Sequence, residues 1–368
     1  MKKSFAQILD SIDRDRSRKV ARKLPSWSTT SGLEYPTGIS LEQCSSEPAA
    51  LYKAALLQSE GTRTESIADL TGGLGVDSWA FSKVFGKVYY NEMNEDLSAA
   101  ADRNFSLLGC SNILTSSDEA ESFLDRAGHF DWIYLDPARR NVAGRKVFLL
   151  EDCSPNVMEL LPKLFGHTDN ILLKLSPMAD ISMIAGRFGE RLKEIHVTGL
   201  DGECKELLCI LSSAENGKYP VTVAELGRGT ISFTENSPAG LTGTIDVGDI
   251  LYEPGTALLK SGYADRFCSD HGLSKLDRFT HLYSAKGTDS QISVFGKTFE
   301  IIEVADFSKA GIKHVGERFP EADVTSRNLP VSSEELKKRL HSKPGNGIHI
   351  FGAKVNGSGK LIVCRKIS

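Results

Sequence analysis

The segment from Asp69 to Asp77 combines the residue types that a ligand-binding loop needs. It reads Asp-Leu-Thr-Gly-Gly-Leu-Gly-Val-Asp, and it lies between an apolar run that predicts a strand and a pattern that predicts a helix. Glycines let the backbone approach a ligand closely, and the first turn of a helix offers unpaired N–H groups. The segment therefore predicts a site for a nucleotide-like ligand, with a Gly-rich structural turn as the alternative.

The same segment departs from the Gly-x-Gly-x-x-Gly loop of dinucleotide-binding folds. Ser78 stands where the third glycine would be, and the predicted helix begins at Asp77, whose carboxylate would repel a pyrophosphate. We therefore expect no NAD site. Glu92 ends the next apolar run, about twenty residues beyond the glycines, where a carboxylate can accept hydrogen bonds from both hydroxyls of a ribose.

A further apolar run, residues 132–135, leads into Asp136 and Pro137, followed by Arg139 and Arg140. This pattern predicts that the Asp136 carboxylate lies at the carboxyl edge of a parallel sheet, where open α/β folds bind ligands. The two arginines could bind a phosphate or a carboxylate of the substrate. Turn formation alone is the other explanation for an Asp-Pro pair after a strand.

Lys174 and Ser176 end another predicted strand and should line the same cleft, where the lysine could bind an anionic substrate. Cys153 is a weak candidate nucleophile, and a buried, inert thiol is the preferred interpretation. The eight histidines and seven cysteines show none of the spacings typical of metal sites. No metal is predicted.

The order of the predicted elements indicates the fold class. Short apolar runs alternate with helical patterns from about residue 65, which predicts right-handed βαβ units and a parallel sheet covered on both faces. The strands predicted at 194–200 and 206–212 are joined by a short loop, so an antiparallel hairpin should close the sheet. We therefore predict an α/β fold with a Rossmann-like sheet.

Changes in sequence texture predict four regions. Residues 1–64 should form a helical segment and residues 65–215 the Rossmann-like domain. Residues 216–289 are rich in Gly, Thr and Ser and should form a connecting α/β region. Residues 290–368 have the order βαβαββ, which predicts a small α+β module.

Composition limits the function classes. The chain has 368 residues, 44 basic against 48 acidic side chains and 40% apolar residues, which excludes a disordered chain. We expect no membrane span and no secretory signal, and therefore a cytoplasmic protein. Residues 1–24 hold eight basic and three acidic residues (8 − 3 = +5). This arm could bind phosphates, or it could be a solvated helix face.

The loop, the acidic strand ends and the Asp-Pro-Ala-Arg-Arg segment together resemble a bacterial family of class I methyltransferases that carry a C-terminal THUMP-like domain. The resemblance covers nearly the whole chain. It also rests on six short segments: 41–47, 148–153, 174–177, 204–208, 253–255 and 326–331. The loop is similar as well to that of the J-type ribosomal-RNA guanine-N2 methyltransferases.

The resemblance implies S-adenosylmethionine as the cofactor and RNA as the partner. The implied cofactor-binding residues are Asp69, Thr71, Gly73, Gly75, Asp77, Glu92 and Asp118. Asp118 would accept the adenine amino group, although helix capping is the alternative. The implied catalytic residues are Asp136 and Pro137, where the carboxylate orients an amine, and the substrate-binding residues are Arg139, Arg140, Lys174 and Ser176.

One departure from the family pattern leaves the acceptor open. Amino-group methyltransferases end this strand in Asn/Asp-Pro-Pro-Tyr/Phe, whereas this chain has Ala138 and Arg139 in place of the second proline and the aromatic residue. The leading hypothesis is methyl transfer to a nitrogen of an RNA base. The alternatives are a methyltransferase that acts on a protein or small molecule, and a non-catalytic RNA-binding factor on the same fold.

Overall fold

The computed structural model describes residues 16–36, 38–61, 63–139, 150–237, 243–287, 290–345 and 347–367. The chain forms two compact units, which are described separately. The first unit comprises Met1–His196 with Glu206–Tyr219, and the second comprises Val197–Lys205 with Pro220–Ser368. The boundaries of the four regions predicted from the sequence stay predictions.

The first unit begins with helices. Residues 16–23 are helical. They are followed by α1 (Pro25–Ser28), α2 (Gly38–Gln43) and α3 (Glu47–Ser59). Pro48 stands in the first turn of α3, where the missing N–H group removes no helical hydrogen bond. The buried face of α3 consists of alanines and leucines and one charged residue, Lys53. A lysine on such a face needs a partner inside the protein.

The first unit then alternates strands and helices. Its strands, with two that continue into the second unit, are β1 (Ser66–Asp69), β2 (Lys87–Asn91), β3 (Ile113–Ser116), β4 (Trp132–Leu135), β5 (Ala138–Arg139), β6 (Cys153–Ser154), β7 (Asn170–Leu175), β8 (Leu192–Leu200) and β9 (Glu203–Ser212). The helices between them are α4 (Val76–Phe81), α5 (Glu95–Leu107), α6 (Ala120–Arg126), α7 (Val157–Phe165) and α8 (Ile181–Phe188), with short 3₁₀ turns at Leu150–Asp152 and Gly189–Arg191.

The sheet of the first unit has the strand order β9-β7-β4-β1-β2-β3. All neighbouring strands are parallel except β9, which runs antiparallel to β7. Asp201 and Gly202 form the turn between β8 and β9 with φ values of 54° and 78°, which is typical of a tight hairpin turn. The predicted α/β class is confirmed, and the carboxyl ends of β1, β2, β4 and β7 meet at one edge.

Aromatic residues build the core of the first unit. Trp27 on α1 contacts Trp79 on α4 edge to face, with ring centroids 6.0 Å apart. Phe81 contacts Tyr134 on β4 in the same manner at 5.1 Å. Each of these rings is buried, and large buried rings dominate core energetics. The helices that precede the sheet are therefore part of the same core as the sheet.

The second unit is a mixed α+β structure. Its strands are β10 (Val221–Glu225), β11 (Gly229–Phe233), β12 (Ile250–Pro254), β13 (Ser274–Asp277), β14 (Thr280–Ala285), β15 (Gly296–Asp306), β16 (Asp323–Arg327), β17 (Ile348–Val355) and β18 (Ser358–Lys366). Its helices are α9 (Thr256–Ser261), α10 (Ala264–Asp270), α11 (Lys309–Arg318) and α12 (Ser333–Leu340), with a 3₁₀ turn at Ile292–Val294.

Seven of these strands form one sheet in the order β13-β14-β12-β15-β18-β17-β16. The tail from β15 to β18 has the βαβαββ order that the sequence predicts. One apolar cluster of this tail contains Phe299, Phe351 and Ile362, and another contains Leu336 of α12 and Val363. Within the described ranges, no helix is both long and apolar enough to cross a membrane.

Candidate active site

Asp69 ends β1 and is buried beneath the loop that follows. Its carboxylate accepts hydrogen bonds from the Thr71 N–H at 3.1 Å and the Ser78 hydroxyl at 2.7 Å. Burial raises the pKa of Asp69 to about 8 because an ion loses its hydration there. The predicted cofactor residue Asp69 therefore holds the loop to the first turn of α4 and is mostly protonated at neutral pH.

The loop requires glycine at three positions. Gly73 and Gly75 have φ values of 54° and 85°, in the left-handed region that side chains disfavour. Gly72 lies against the Tyr90 ring, since a Cβ atom there would be 2.1 Å from Tyr90 Cε2. The Tyr90 hydroxyl in turn donates a hydrogen bond to the Gly73 carbonyl at 2.6 Å. Tyr90 thus supports the loop from below.

Glu92 follows β2 and is held by the same loop. Its Oε2 accepts a hydrogen bond from the Gly73 N–H at 2.8 Å, and its Oε1 accepts one from the Asn94 N–H at 2.9 Å. Each carboxylate oxygen has a second acceptor site. The carboxylate is therefore fixed in orientation and can still accept two hydroxyl donors, as the predicted ribose contact requires.

Asp118 follows β3 and is positioned by a buried asparagine. The Asn91 Nδ2 donates to the Asp118 carbonyl at 2.9 Å, and the Asp118 N–H donates to Asn91 Oδ1 at 3.1 Å. The Asp118 carboxylate forms an ion pair with Arg126. The N-cap residue of α6 is Glu119, so the geometry does not favour the capping alternative for Asp118.

Asp136 follows β4 and connects to the glycine loop through its backbone. Its N–H donates a hydrogen bond to Thr71 Oγ1 at 2.6 Å, and its Oδ2 forms an ion pair with Lys174 on β7. Burial alone would lower the pKa of Lys174, but the carboxylates of Asp136, Glu206 and Asp77 raise it above its usual value. Lys174 is therefore an ammonium ion at neutral pH.

A second lysine, Lys53 on α3, lies fully buried behind this pair. Its Nζ is 3.0 and 3.1 Å from the two carboxylate oxygens of Glu206 on β9, and 3.1 Å from Asp77 Oδ1. Lys174 Nζ lies 4.0 Å from Glu206 Oε2. We call these five residues the charge cluster: Lys53, Asp77, Asp136, Lys174 and Glu206.

Asp77 lies at the inner side of the charge cluster. Its Oδ2 accepts hydrogen bonds from the Ser45 hydroxyl at 2.8 Å and the Tyr134 hydroxyl at 2.9 Å. Burial would raise the pKa of Asp77, but the ammonium groups of Lys53 and Lys174 hold it below its usual value. The Asp77 carboxylate is thus hydrogen-bonded and ion-paired within the protein. Its predicted contact with a cofactor stays a prediction.

The charge cluster has a net negative charge. Three carboxylates, those of Asp77, Asp136 and Glu206, face two ammonium groups, those of Lys53 and Lys174. The sum is 2 − 3 = −1. A net negative group close to the carboxyl edge of the sheet stabilises a cation and disfavours a phosphate, which agrees with the exclusion of a dinucleotide.

The remaining predicted site residues follow Asp136 or Lys174 along the chain. The Ser176 Oγ accepts a hydrogen bond from the Met178 N–H at 3.2 Å and so shapes the turn after β7. Beyond Pro137, the backbone of Arg139 lies in β5, which pairs with β6 around Cys153. The Cys153 side chain is buried, as preferred above. Arg140 lies outside the described residues.

The sequence did not predict five residues of this site: Ser45, Lys53, Asn91, Tyr134 and Glu206. One signal was available for Lys53, because it shares a helix face with Ala49, Ala50 and Leu57. No comparable local signal marks Asn91. Among the described residues, no three His, Cys, Asp or Glu side chains are arranged to hold a metal ion.

Two parts of the chain match known domain families, and nearly the whole chain matches a solved structure. Residues 296–366 match the family model of a THUMP domain-like domain, and residues 251–291 match that of a ferredoxin-like domain. A solved structure, a "putative methyltransferase" from Porphyromonas gingivalis W83, is 30% identical in sequence, covers 96% of this chain and 89% of its own, and superposes with a TM-score of 0.85. The chain belongs to this family. It is a family of class I methyltransferases with a C-terminal THUMP-like domain, as the sequence predicts.

Other solved structures match about half of this chain. An rRNA methylase from Streptococcus thermophilus is 14% identical, with 46% of this chain and 97% of its own covered and a TM-score of 0.34. A "putative RNA methyltransferase" from Pyrococcus horikoshii is 16% identical, with 53% and 98% covered and a TM-score of 0.37. No curated protein matches this chain.

Proposed function

We propose that this protein is an S-adenosylmethionine-dependent methyltransferase that methylates a nitrogen of an RNA base. The observation that carries the proposal is the hydrogen bond from the Asp136 N–H to Thr71 Oγ1. It joins the Asp-Pro strand end to the glycine loop, so that an acceptor at Asp136 and a cofactor on the loop would be neighbours. Such proximity is the main requirement of an in-line methyl transfer.

The residues around the loop fit a cationic nucleoside. Glu92 has acceptor sites for two ribose hydroxyls, and glycines at 73 and 75 leave the backbone accessible. Asp118 is held at the next strand end, where its carboxylate can accept an amino group. The net negative charge cluster favours a sulfonium over a phosphate.

S-adenosylmethionine, when bound, supplies an electrophilic methyl group. Asp136 has the task of orienting the acceptor. Its Oδ2 is held by Lys174, whereas its Oδ1 makes no hydrogen bond to any described residue. Oδ1 can therefore accept a proton of an amine and aim the nitrogen lone pair. Asp136 therefore acts by position, and orientation of this kind supplies about 7–11 kcal/mol.

The choice of RNA as substrate rests on the C-terminal module. The chain matches the THUMP-like family over residues 296–366. THUMP domains bind RNA, so the resemblance implies an RNA substrate. This is an argument by analogy of fold. Ala138, which is exposed, replaces the second proline of the Asn/Asp-Pro-Pro-Tyr/Phe motif. The proposal therefore does not specify which base is methylated.

The test is transfer of labelled methyl from S-adenosylmethionine to total RNA. We expect label in RNA with the wild type and a loss of about 100-fold with Asp136→Ala, because the acceptor is no longer oriented. The matched control is Asp125→Ala, which removes an exposed carboxylate on α6. Label in protein alone, or cofactor binding with no transfer to any fraction, would contradict the proposal.

A further inference from the structure

The charge cluster has one more carboxylate than ammonium groups, and the excess lies in its buried part. Lys53, Asp77 and Glu206 are buried, and they comprise one cation and two anions. The partly exposed pair of Lys174 and Asp136 is balanced by itself. A buried ion that no opposite charge balances is costly, because the protein interior replaces its hydration poorly. We expect equal numbers of both charges in a cluster that serves stability alone.

Glu206 is the carboxylate that the cluster could lose without leaving a cation unpaired. Its two oxygens lie 3.0 and 3.1 Å from Lys53 Nζ, and its Oε2 lies 4.0 Å from Lys174 Nζ. Each of these ammonium groups has another carboxylate partner. Lys53 Nζ lies 3.1 Å from Asp77 Oδ1, and Lys174 is paired with Asp136. Glu206 therefore supplies the excess negative charge.

The cluster opens towards solvent at Asp136. The exposed fraction of the side chain falls from 33% at Asp136 to 13% at Lys174 and 4% at Glu206, so the cluster leads inward from the carboxyl edge of the sheet. The Asp136 N–H is bound by Thr71 of the glycine loop. A ligand between this loop and Asp136 would adjoin the exposed end of the cluster. It would feel the charge of Glu206, because salt screens buried charges much less than exposed ones.

A cationic ligand would balance the excess charge, whereas a neutral one would not. S-adenosylmethionine carries a sulfonium cation, and its product S-adenosylhomocysteine has a neutral sulfur at the same position. Methyl transfer breaks the S–C bond and leaves its electron pair on sulfur, while the acceptor nitrogen forms the C–N bond and loses a proton to water. The attraction between the cluster and the sulfur therefore ends with the transfer.

We propose that Glu206 makes this site discriminate by charge between S-adenosylmethionine and S-adenosylhomocysteine, so that the cofactor is held and the product is released. Glu206 acts through its charge and not by contact, because Lys174 lies between it and Asp136. The inference rests on the proposed methyltransferase function and adds a residue that sets cofactor selectivity from the interior. A carboxylate about 10 Å from a cation changes its affinity about 2- to 15-fold, for effective dielectric constants between roughly 80 and 20.

The experiment measures the dissociation constants of both compounds by calorimetry at neutral pH. The deciding quantity is the ratio of the dissociation constant of S-adenosylhomocysteine to that of S-adenosylmethionine. Glu206→Gln keeps the shape of the side chain and removes its charge, so this ratio should fall about 2- to 15-fold. A packing defect would weaken the binding of both compounds equally and leave the ratio unchanged. The variant should fold, because each ammonium group keeps a carboxylate partner.

Two further variants separate charge from shape. Glu206→Asp keeps the net charge of the cluster (2 − 3 = −1), and Lys53→Met/Glu206→Gln removes one charge of each sign (1 − 2 = −1). Both should give a ratio closer to that of the wild type than to that of Glu206→Gln. The matched control is Asp125→Asn, which removes the charge of an exposed carboxylate on α6 and should keep the wild-type ratio.

The proposal is overturned if Glu206→Gln keeps the wild-type ratio, or if the double variant lowers the ratio as much as Glu206→Gln does. Urea unfolding of each variant shows whether it is folded. If the double variant is not, the comparison of Glu206→Asp with Glu206→Gln decides. A wild type that binds neither compound would contradict the proposed function itself, whereas binding of both with an unchanged ratio contradicts only the discrimination by charge.

Discussion

The charge cluster of the first unit and the C-terminal module from β15 to β18 treat ionic groups in opposite ways. In the cluster, Lys53, Glu206 and Asp77 have side chains that are 0%, 4% and 11% exposed. In the module, the pairs Lys360–Asp306 and Arg365–Glu300 each include a partner that is more than 60% exposed, with values of 75% and 62%.

The difference separates two reasons for having ion pairs. Exposed pairs gain little because water screens them, whereas buried ions must be paired to offset a desolvation penalty of several kcal/mol each. The module is stable through apolar clusters on its sheet. The first unit buries three charged side chains, those of Lys53, Asp77 and Glu206. They adjoin the partly exposed pair of Lys174 and Asp136. We infer that function, more than stability, explains their retention.

The largest expected effect is on Lys53. Lys53→Met should reduce the free energy of unfolding by about 3–5 kcal/mol, because Asp77 and Glu206 would be left as buried anions. Urea unfolding measures this effect. The double variant Lys53→Met/Glu206→Gln should recover part of the loss, since one of the two anions is removed. If the free energy of unfolding of Lys53→Met lies within about 1 kcal/mol of the wild-type value, this buried pair does not differ from exposed pairs.

The glycine loop offers a second contrast. Gly72→Ala should reduce the free energy of unfolding by about 1–3 kcal/mol, because its Cβ would overlap the buried Tyr90 ring. Gly186→Ala in α8 is the control: its Cβ meets no atom within 4 Å, and it should stabilise the protein by about 0.4–1 kcal/mol. Equal unfolding midpoints for the two variants would show that the loop has room to adjust.

A pH series sharpens the comparison for Asp69. The pKa of this carboxyl is raised from 3.8 to about 8 in the folded protein, so the folded state keeps a proton that the unfolded state loses. Stability from this group is complete below about pH 4 and falls as pH rises towards 8. In Asp69→Asn this decline should be smaller, by about 1 kcal/mol between pH 6 and 7. Parallel stability curves for the two proteins would contradict the buried, protonated state.

The smallest effect is expected in the C-terminal module. Lys360→Ala breaks the pair with Asp306, whose side chain is 75% exposed. It should change the free energy of unfolding by less than about 1 kcal/mol, and added salt should reduce the change further. Urea unfolding at low and high salt measures both. A loss as large as that expected for Lys53→Met would mean that burial does not distinguish the two regions.

Much of the fold could be predicted because it depends on local patterns. Alternating strands and helices indicated the parallel sheet, and each of Asp69, Glu92 and Asp136 ends a strand or follows one, so their common edge was implied. The pairing of Lys53 with Glu206 was not predictable in this way. It joins residues 153 positions apart on α3 and β9, and no periodicity connects them.

The environment of Asp77 illustrates the same limit. In the sequence it is the last residue of a ligand-binding loop, and the prediction of cofactor contact follows from that position. In the structure its carboxylate turns towards Ser45, Lys53 and Tyr134, which belong to three other segments. The strand pair β5–β6 next to Asp136 was also unforeseen, since two-residue strands have no periodicity to detect.

The separation of Lys53 and Glu206 also has a consequence during synthesis. Lys53 leaves the ribosome 153 residues before its partner, and at 5–20 residues per second that is a delay of roughly 8 to 30 seconds. Until β9 emerges, Asp77 is the one carboxylate of the charge cluster that is already paired with Lys53 in the order of synthesis. The burial of Lys53 with both of its carboxylate partners is therefore completed only after β9 has been made.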